Sequence, residues 1–182
     1  GFPGSSLQNA IKMTSEPPRG VKANLTATYT TFTDAYLDGQ SKPHEFKKLL
    51  YGTCFFHALL QDRRKFGPLG FNIPYEFSQA DLSACVQFIQ NHITDMDAKK
   101  RPVDWPTVNY MVCEVQYGGK ITDDFDRRLF NTYGKSWLTE QCLAPDFKFV
   151  QGMDTYYIPP TNPDIEVYRK YILGLPLVDD PE

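Results

Sequence analysis

Apolar residues recur along this chain with the period of helices. Val21, Leu25, Thr28 and Phe32 stand at helical spacing, which predicts a first helix even though its threonines lower the propensity. "SKPHEFKKLLYGTCFFHALLQDRRKFGP" predicts a long second one, with Ser41 as cap and Pro43 in the first turn. Arg63, Arg64 and Lys65 close its C-terminal end and Gly67-Pro68 stops it. The stripe Phe46, Leu49, Leu50 and Thr53 is joined by Phe55, Phe56, Leu59 and Leu60, so apolar surface runs most of the way round. A helix apolar on most sides is covered on most sides, by its own fold or by a partner.

"FGPLGFNIPYEF" lacks either period and reads as an ordered loop. Ser78 with Asp81 makes a capping-box variant ahead of the stripe Leu82, Val86, Ile89 and Ile93. After the charged linker "DAKKRP", Asp104 caps a third long segment, "DWPTVNYMVCEVQYG", with stripe Val108, Met111, Val112 and Val115 and a stop at Gly118. A fourth starts at Thr122, carries Phe125, Leu129 and Tyr133, and runs to about Cys142. Beyond Pro145 the pattern changes: "FKFVQGMDTYYIP" predicts a small hairpin about Gly152 to Asp154, and "NPDIEVYRKYILG" a short helix from Asn162 with Pro163 at its start. The fold class is therefore mainly α, a helical bundle with a short C-terminal α/β extension. Residues 1–20 form a lead-in strap broken by "TSEPPRG", 21–145 the helical domain, and 146–182 the extension.

Composition narrows the function classes. With 182 residues, 41% hydrophobic, 14% aromatic and 23% charged, the chain can bury a single-domain core. A net charge of -3 gives no general attraction to nucleic acid or to an anionic membrane. Cys54, Cys85, Cys113 and Cys142 form no C-x-x-C pair and have no histidine at ligand spacing, which argues against zinc and for buried reduced thiols in a cytosolic protein. Asn24-Leu25-Thr26 is a glycosylation sequon, but no signal-like run precedes it.

One stretch carries candidate chemistry. "EVQYGGKITDDFDRRLF" sets Gly-Gly-Lys beside a run of acids, the ingredients of a phosphate cradle and metal carboxylates. A P-loop needs G-x-x-x-x-G-K-[ST] between strand and helix, because backbone amides wrap the phosphates and the hydroxyl holds magnesium. Here Glu114 stands at the first glycine and Ile121 at the hydroxyl, and a helix precedes the loop. Asp123, Asp124 and Asp126 lack the calcium-loop pattern; as acids in a first turn they complement the helix dipole. His44, His57 and His92 lie on separate segments with no sequence-local nucleophile. Catalytic, cofactor-binding and metal residues are thus none. The alternative is a self-contained nucleotide- or phosphate-binding enzyme using Lys120 with Arg63 and Arg64.

The blocks "SLQNAIKMTSEPPRGVKANL", "FFHALLQDRRKFGPLGFNIPYEFSQADL", "VQYGGKITDDFDRRLF" and "YILGLPLVDDPE" resemble the C-terminal motor region of dynein heavy chains over nearly the whole chain. "SACVQFIQNHI" followed by "VNYMVCEVQYGGKITDDFDRRLFNTYGKSWL" is more similar to axonemal outer-arm chains of the gamma type than to cytoplasmic ones. The resemblance implies the helical lid of the sixth AAA+ module, entered from the preceding large subdomain, in a fragment truncated at "DDPE". It implies nucleotide sites in the first four modules, so ATP and magnesium belong elsewhere in the full-length motor and no cofactor here. Implied partners are neighbouring AAA+ modules of the same heavy chain, and microtubules and dynein light and intermediate chains through the full-length protein. The implied location is cytoplasm, cytoskeleton and the axoneme of cilia or flagella. The implied role is mechanical coupling, with Phe55, Phe56, Leu59, Arg63, Arg64 and Phe66 as the candidate interface.

Overall fold

The computed structural model describes residues 20–62, 71–73, 75–159 and 163–176. Helix α1, Val21–Thr30, tolerates its threonines because Thr26 and Thr30 donate their hydroxyls to the carbonyls of Lys22 and Thr26, both at 2.7 Å. Asn24, the sequon residue, is buried and donates to Gln61 at 2.8 Å, so it is not presented for glycosylation. A short α2, Asp34–Asp38, begins at Thr33, whose side chain accepts the Tyr36 amide.

Helix α3, Pro43–Gln61, is the centre of the molecule. Every residue from Phe46 to Leu60 is buried, including Lys47, Lys48, Thr53 and His57. The all-round apolar pattern therefore reads correctly as a helix covered on all sides. Its start differs from expectation: Lys42, in the left-handed region at φ 46°, takes the cap position in place of Ser41 and makes no side-chain cap bond. Its end differs too, since Asp62 is already extended. The basic residues Arg63, Arg64 and Lys65 and the Gly67-Pro68 stop lie outside the described residues, as do residues 1–19.

Helix α4, Gln79–Ala98, has the predicted capping box in full, and Leu82, Val86, Ile89 and Ile93 are all buried against the core. Helix α5, Trp105–Asn109, is capped by Asp104, which accepts the Thr107 amide at 3.3 Å. From Tyr110 to Tyr117 the chain then continues as a π-helix. The wider turn shifts the inward stripe. Val108, Val112, Cys113 and Tyr117 face the core, while Val115, expected inside, is 52% exposed.

A 3₁₀ turn, Gly118–Lys120, leads to α6, Asp124–Trp137. The cap is Asp123, which accepts the Asp126 amide at 2.9 Å, and not Thr122. The buried stripe is Asp126, Phe130, Tyr133 and Trp137, so Phe125, expected inside, is 47% exposed. A carboxylate heads the true stripe, which is why a purely apolar reading slides off it. The helix ends at Trp137, short of Cys142, and Cys142 sits in a separate 3₁₀ turn, Glu140–Leu143.

Among the described residues the predicted hairpin is reduced to one antiparallel bridge, Lys148 with Tyr157, plus the Phe149 amide on the Tyr156 carbonyl at 3.0 Å. The last helix, α7, Ile165–Leu173, is capped by Asp164, which accepts the Val167 amide at 3.1 Å. Its expected start at Asn162 falls outside the described residues, and Pro163 precedes the cap. One hydrophobic cluster runs from Val21 to Leu175. Aromatic rings fill its middle: Phe55 stacks on Phe149 at 4.3 Å, Phe56 meets Phe130 at 4.7 Å, and Trp137 stacks on Tyr133 at 4.1 Å. Among the described residues no helix is long and apolar enough to cross a membrane.

Candidate functional site

The Gly-Gly-Lys turn packs against the start of α4. Lys120 Nζ lies 3.2 Å from Asp81 Oδ1 and 5.6 Å above the Phe77 ring. Gln116 donates to the same Oδ1 at 3.1 Å, and the Ser78 amide to Oδ2 at 2.8 Å. Burial pushes the Asp81 carboxyl up, but the Ser78 amide and Lys120 outweigh it and hold the group below its ordinary value. The α4 N-terminus thus already has its anion, and that anion already engages the lysine.

Glycine is required at Gly118 for a different reason from phosphate approach. A Cβ there would stand 2.1 Å from the Cys113 carbonyl oxygen, so the residue closes the π-helix. Ile121, where a P-loop has its hydroxyl, is fully buried in the core. No member of the stretch is left arranged as a phosphate cradle.

The acids do more than complement a dipole. Asp126 is 0% exposed, and its carboxylate accepts the Asn72 amide at 2.7 Å, the Ile73 amide at 3.1 Å and the Tyr75 hydroxyl at 2.9 Å. Tyr75 in turn accepts the Asp123 amide at 3.4 Å, and Asp123 accepts Asn72 Nδ2 at 3.3 Å. This buried clamp fastens the loop before α4 to the start of α6. Sequence reasoning missed it, although the spacing Asp126, Phe130, Tyr133, Trp137 was there to be read as an inward face.

His57 Nδ1 shares a hydrogen bond with the Tyr117 hydroxyl at 2.9 Å, and burial depresses its pKa to about 4. It is a neutral core histidine. His92 Nε2 accepts the Asp104 amide at 3.1 Å and joins the end of α4 to the start of α5. All four cysteines are free and buried, and burial pushes Cys85, Cys113 and Cys142 up to about 12, which removes them from thiolate chemistry at neutral pH. Among the described residues no group of three His, Cys, Asp or Glu side chains could hold a metal ion.

Of the candidate interface, Phe55, Phe56 and Leu59 lie in the interior, each fully covered by this chain. Arg63, Arg64 and Phe66 fall outside the described residues. The arrangement defines a helical domain whose polar clusters among the described residues tie elements to one another. A family model described as the dynein heavy chain AAA lid domain matches residues 46–182. The chain is 51% identical over 181 residues to dynein axonemal heavy chain 5 of Mus musculus and 48% over 181 residues to dynein axonemal heavy chain 8 of Homo sapiens. It is 45% identical over 186 residues to the dynein gamma chain, flagellar outer arm, of Chlamydomonas reinhardtii. Each comparison covers 100% of this chain. The chain belongs to the dynein heavy chain AAA lid family, and it spans 4% of the length of these relatives.

Proposed function

We propose that the chain is the non-catalytic helical lid of the sixth AAA+ module in an axonemal dynein heavy chain, and that it works by mechanical coupling. It packs on its own module's large subdomain and on neighbouring modules of the same heavy chain. ATP-driven ring movements pass through it as through a rigid body toward microtubule-based motility. ATP and magnesium act in other modules, and microtubules and the light and intermediate chains are engaged through the rest of the protein. The axonemal and outer-arm names of its relatives support a place in the axoneme of a cilium or flagellum.

The observation that carries the non-catalytic reading is the Lys120 contact with Asp81 beside a Gly118 committed to the Cys113 carbonyl. Rigidity is supported by the cluster of buried side chains among the described residues, in which Phe55, Phe56 and Leu59 stiffen α3 from within. Titration of the chain with magnesium-ATP in a calorimeter should give no binding heat. Micromolar binding that disappears in Lys120→Ala would restore the nucleotide-binding alternative.

A further inference from the structure

Charged side chains hold the C-terminal helix by gripping backbone ends. Arg169 donates from Nε to the Tyr29 carbonyl at 3.1 Å and from Nη2 to the Phe32 and Thr30 carbonyls at 2.6 and 3.4 Å. One guanidinium thereby covers the open carbonyls at the end of α1. Asp34, just beyond α1, returns the favour: its Oδ1 accepts the Ile165 amide, the first of α7, at 2.8 Å. Each helix has one end closed by a residue carried on the other side of the seam. Glu166 steadies Arg169 at 2.7 Å. The approach to α7 is held the same way, with Lys47 bridging Asp38 and the Pro163 carbonyl at 2.8 and 2.9 Å and Lys48 donating to the Pro159 carbonyl at 3.2 Å.

Beneath this polar rim the seam carries unpaired groups. Tyr29 stacks on Tyr168 with ring centroids 5.5 Å apart, and the hydroxyls of both are buried without a hydrogen-bond partner among the described residues. Other buried atoms without a partner among the described residues lie on α3, at Tyr51 Oη, Thr53 Oγ1 and His57 Nε2, and on Gln79 at the start of α4, and the Tyr51 ring stands 5.8 Å from Tyr29 and 6.0 Å from Tyr168. Among the described residues the Tyr29 and Tyr168 rings are the two of these that stack, at an interplanar angle of 24° across the α1 and α7 seam. A buried hydroxyl without a partner favours whichever state returns it to water. Here that is the state in which α7 has lifted away.

We propose that α7 is a releasable latch: it opens from α1 as a unit while α3, α4 and α6 stay folded, with Arg169 and Asp34 as its catch and the Tyr29 and Tyr168 hydroxyls favouring release. The latch is a property of the seam and does not depend on the coupling role.

Hydrogen exchange on the full 182-residue chain, read amide by amide, tests it. Arg169→Ala and Asp34→Ala should each speed exchange in α7 by about tenfold, leaving α4 and α6 at their original rates. Tyr168→Phe and Tyr29→Phe keep the rings and remove only the hydroxyls, so they should slow exchange in α7 by several-fold. Acceleration spread equally over all helices in the catch variants would overturn the latch. So would unchanged or faster exchange in the phenylalanine variants, because the hydroxyls would then already be satisfied.

Discussion

Asp126 and Tyr75 meet at 2.9 Å in the interior, with the tyrosine hydroxyl donating to a carboxylate that water does not reach. Together with the Asn72 and Ile73 amides, this contact decides where the loop before α4 lies on α6. Asp126→Ala leaves three donors without an acceptor, so we expect a loss of about 3 to 5 kcal/mol in denaturant unfolding. Tyr75→Phe removes one of them and should cost about 1 to 2 kcal/mol. A loss under about 1 kcal/mol for Asp126→Ala would mean that the clamp does not hold the loop.

The sequence makes the fold class and most helices legible, because capping residues and apolar periods agree at Ser78, Asp104 and along Leu82, Val86, Ile89 and Ile93. It shifts the caps and ends of α3 and α6 and overstates the hairpin, and it misleads most in two stretches, for physical reasons. The π-helix from Tyr110 to Tyr117 breaks the usual period, so Val115 turns outward and Cys113 and Tyr117 inward. In α6 a buried acid occupies the first inward position, and hydrophobic counting passes over it. The clamp and the Arg169 contact join residues 51 and 140 positions apart, a closeness that local spacing does not encode. The departure from the P-loop pattern, by contrast, is local and legible at Glu114 and Ile121.

The π-helix is wedged between two glycines. A Cβ at Gly134 would stand 2.6 Å from Cys113 Sγ, close enough that the sulfur must shift. Gly134→Ala should therefore destabilise by about 1 to 3 kcal/mol. Cys113→Ala in the same chain should recover part of that loss, giving a coupling of at least about 0.5 kcal/mol in a double-mutant cycle. Additive losses would place the strain elsewhere.

Acid should weaken the fold through His57. Its folded pKa, about 4, lies below the ordinary value of 6.5, so the unfolded chain takes up a proton first as pH falls. Its contribution is fully present above about pH 6.5 and is lost progressively down to pH 4, by about 3 kcal/mol in all. Partly buried His92, also lowered, acts in the same direction, so the comparison must be with His57→Gln. That variant should show a clearly flatter stability profile between pH 6.5 and 4, and an unchanged slope would contradict the burial of a neutral His57.

Thiol chemistry offers a simple check of packing. With all four cysteines buried, a neutral aromatic disulfide reagent should label none of them in the native chain within minutes and all four once it is unfolded. Rapid native labelling at Cys54 or Cys113 would show that α3 or the π-helix is open to solvent.

The proposed coupling role is tested in a full-length axonemal dynein heavy chain that carries this lid. Arg63 and Arg64 follow Asp62 in the sequence, outside the described residues, and a guanidinium is a fork-shaped donor suited to carboxylates. Arg63→Glu with Arg64→Glu should leave basal ATP hydrolysis intact while microtubule stimulation and gliding speed fall by about twofold or more. Unchanged stimulation and gliding in a folded motor would contradict coupling through these two residues, and loss of all ATP hydrolysis would contradict a non-catalytic role.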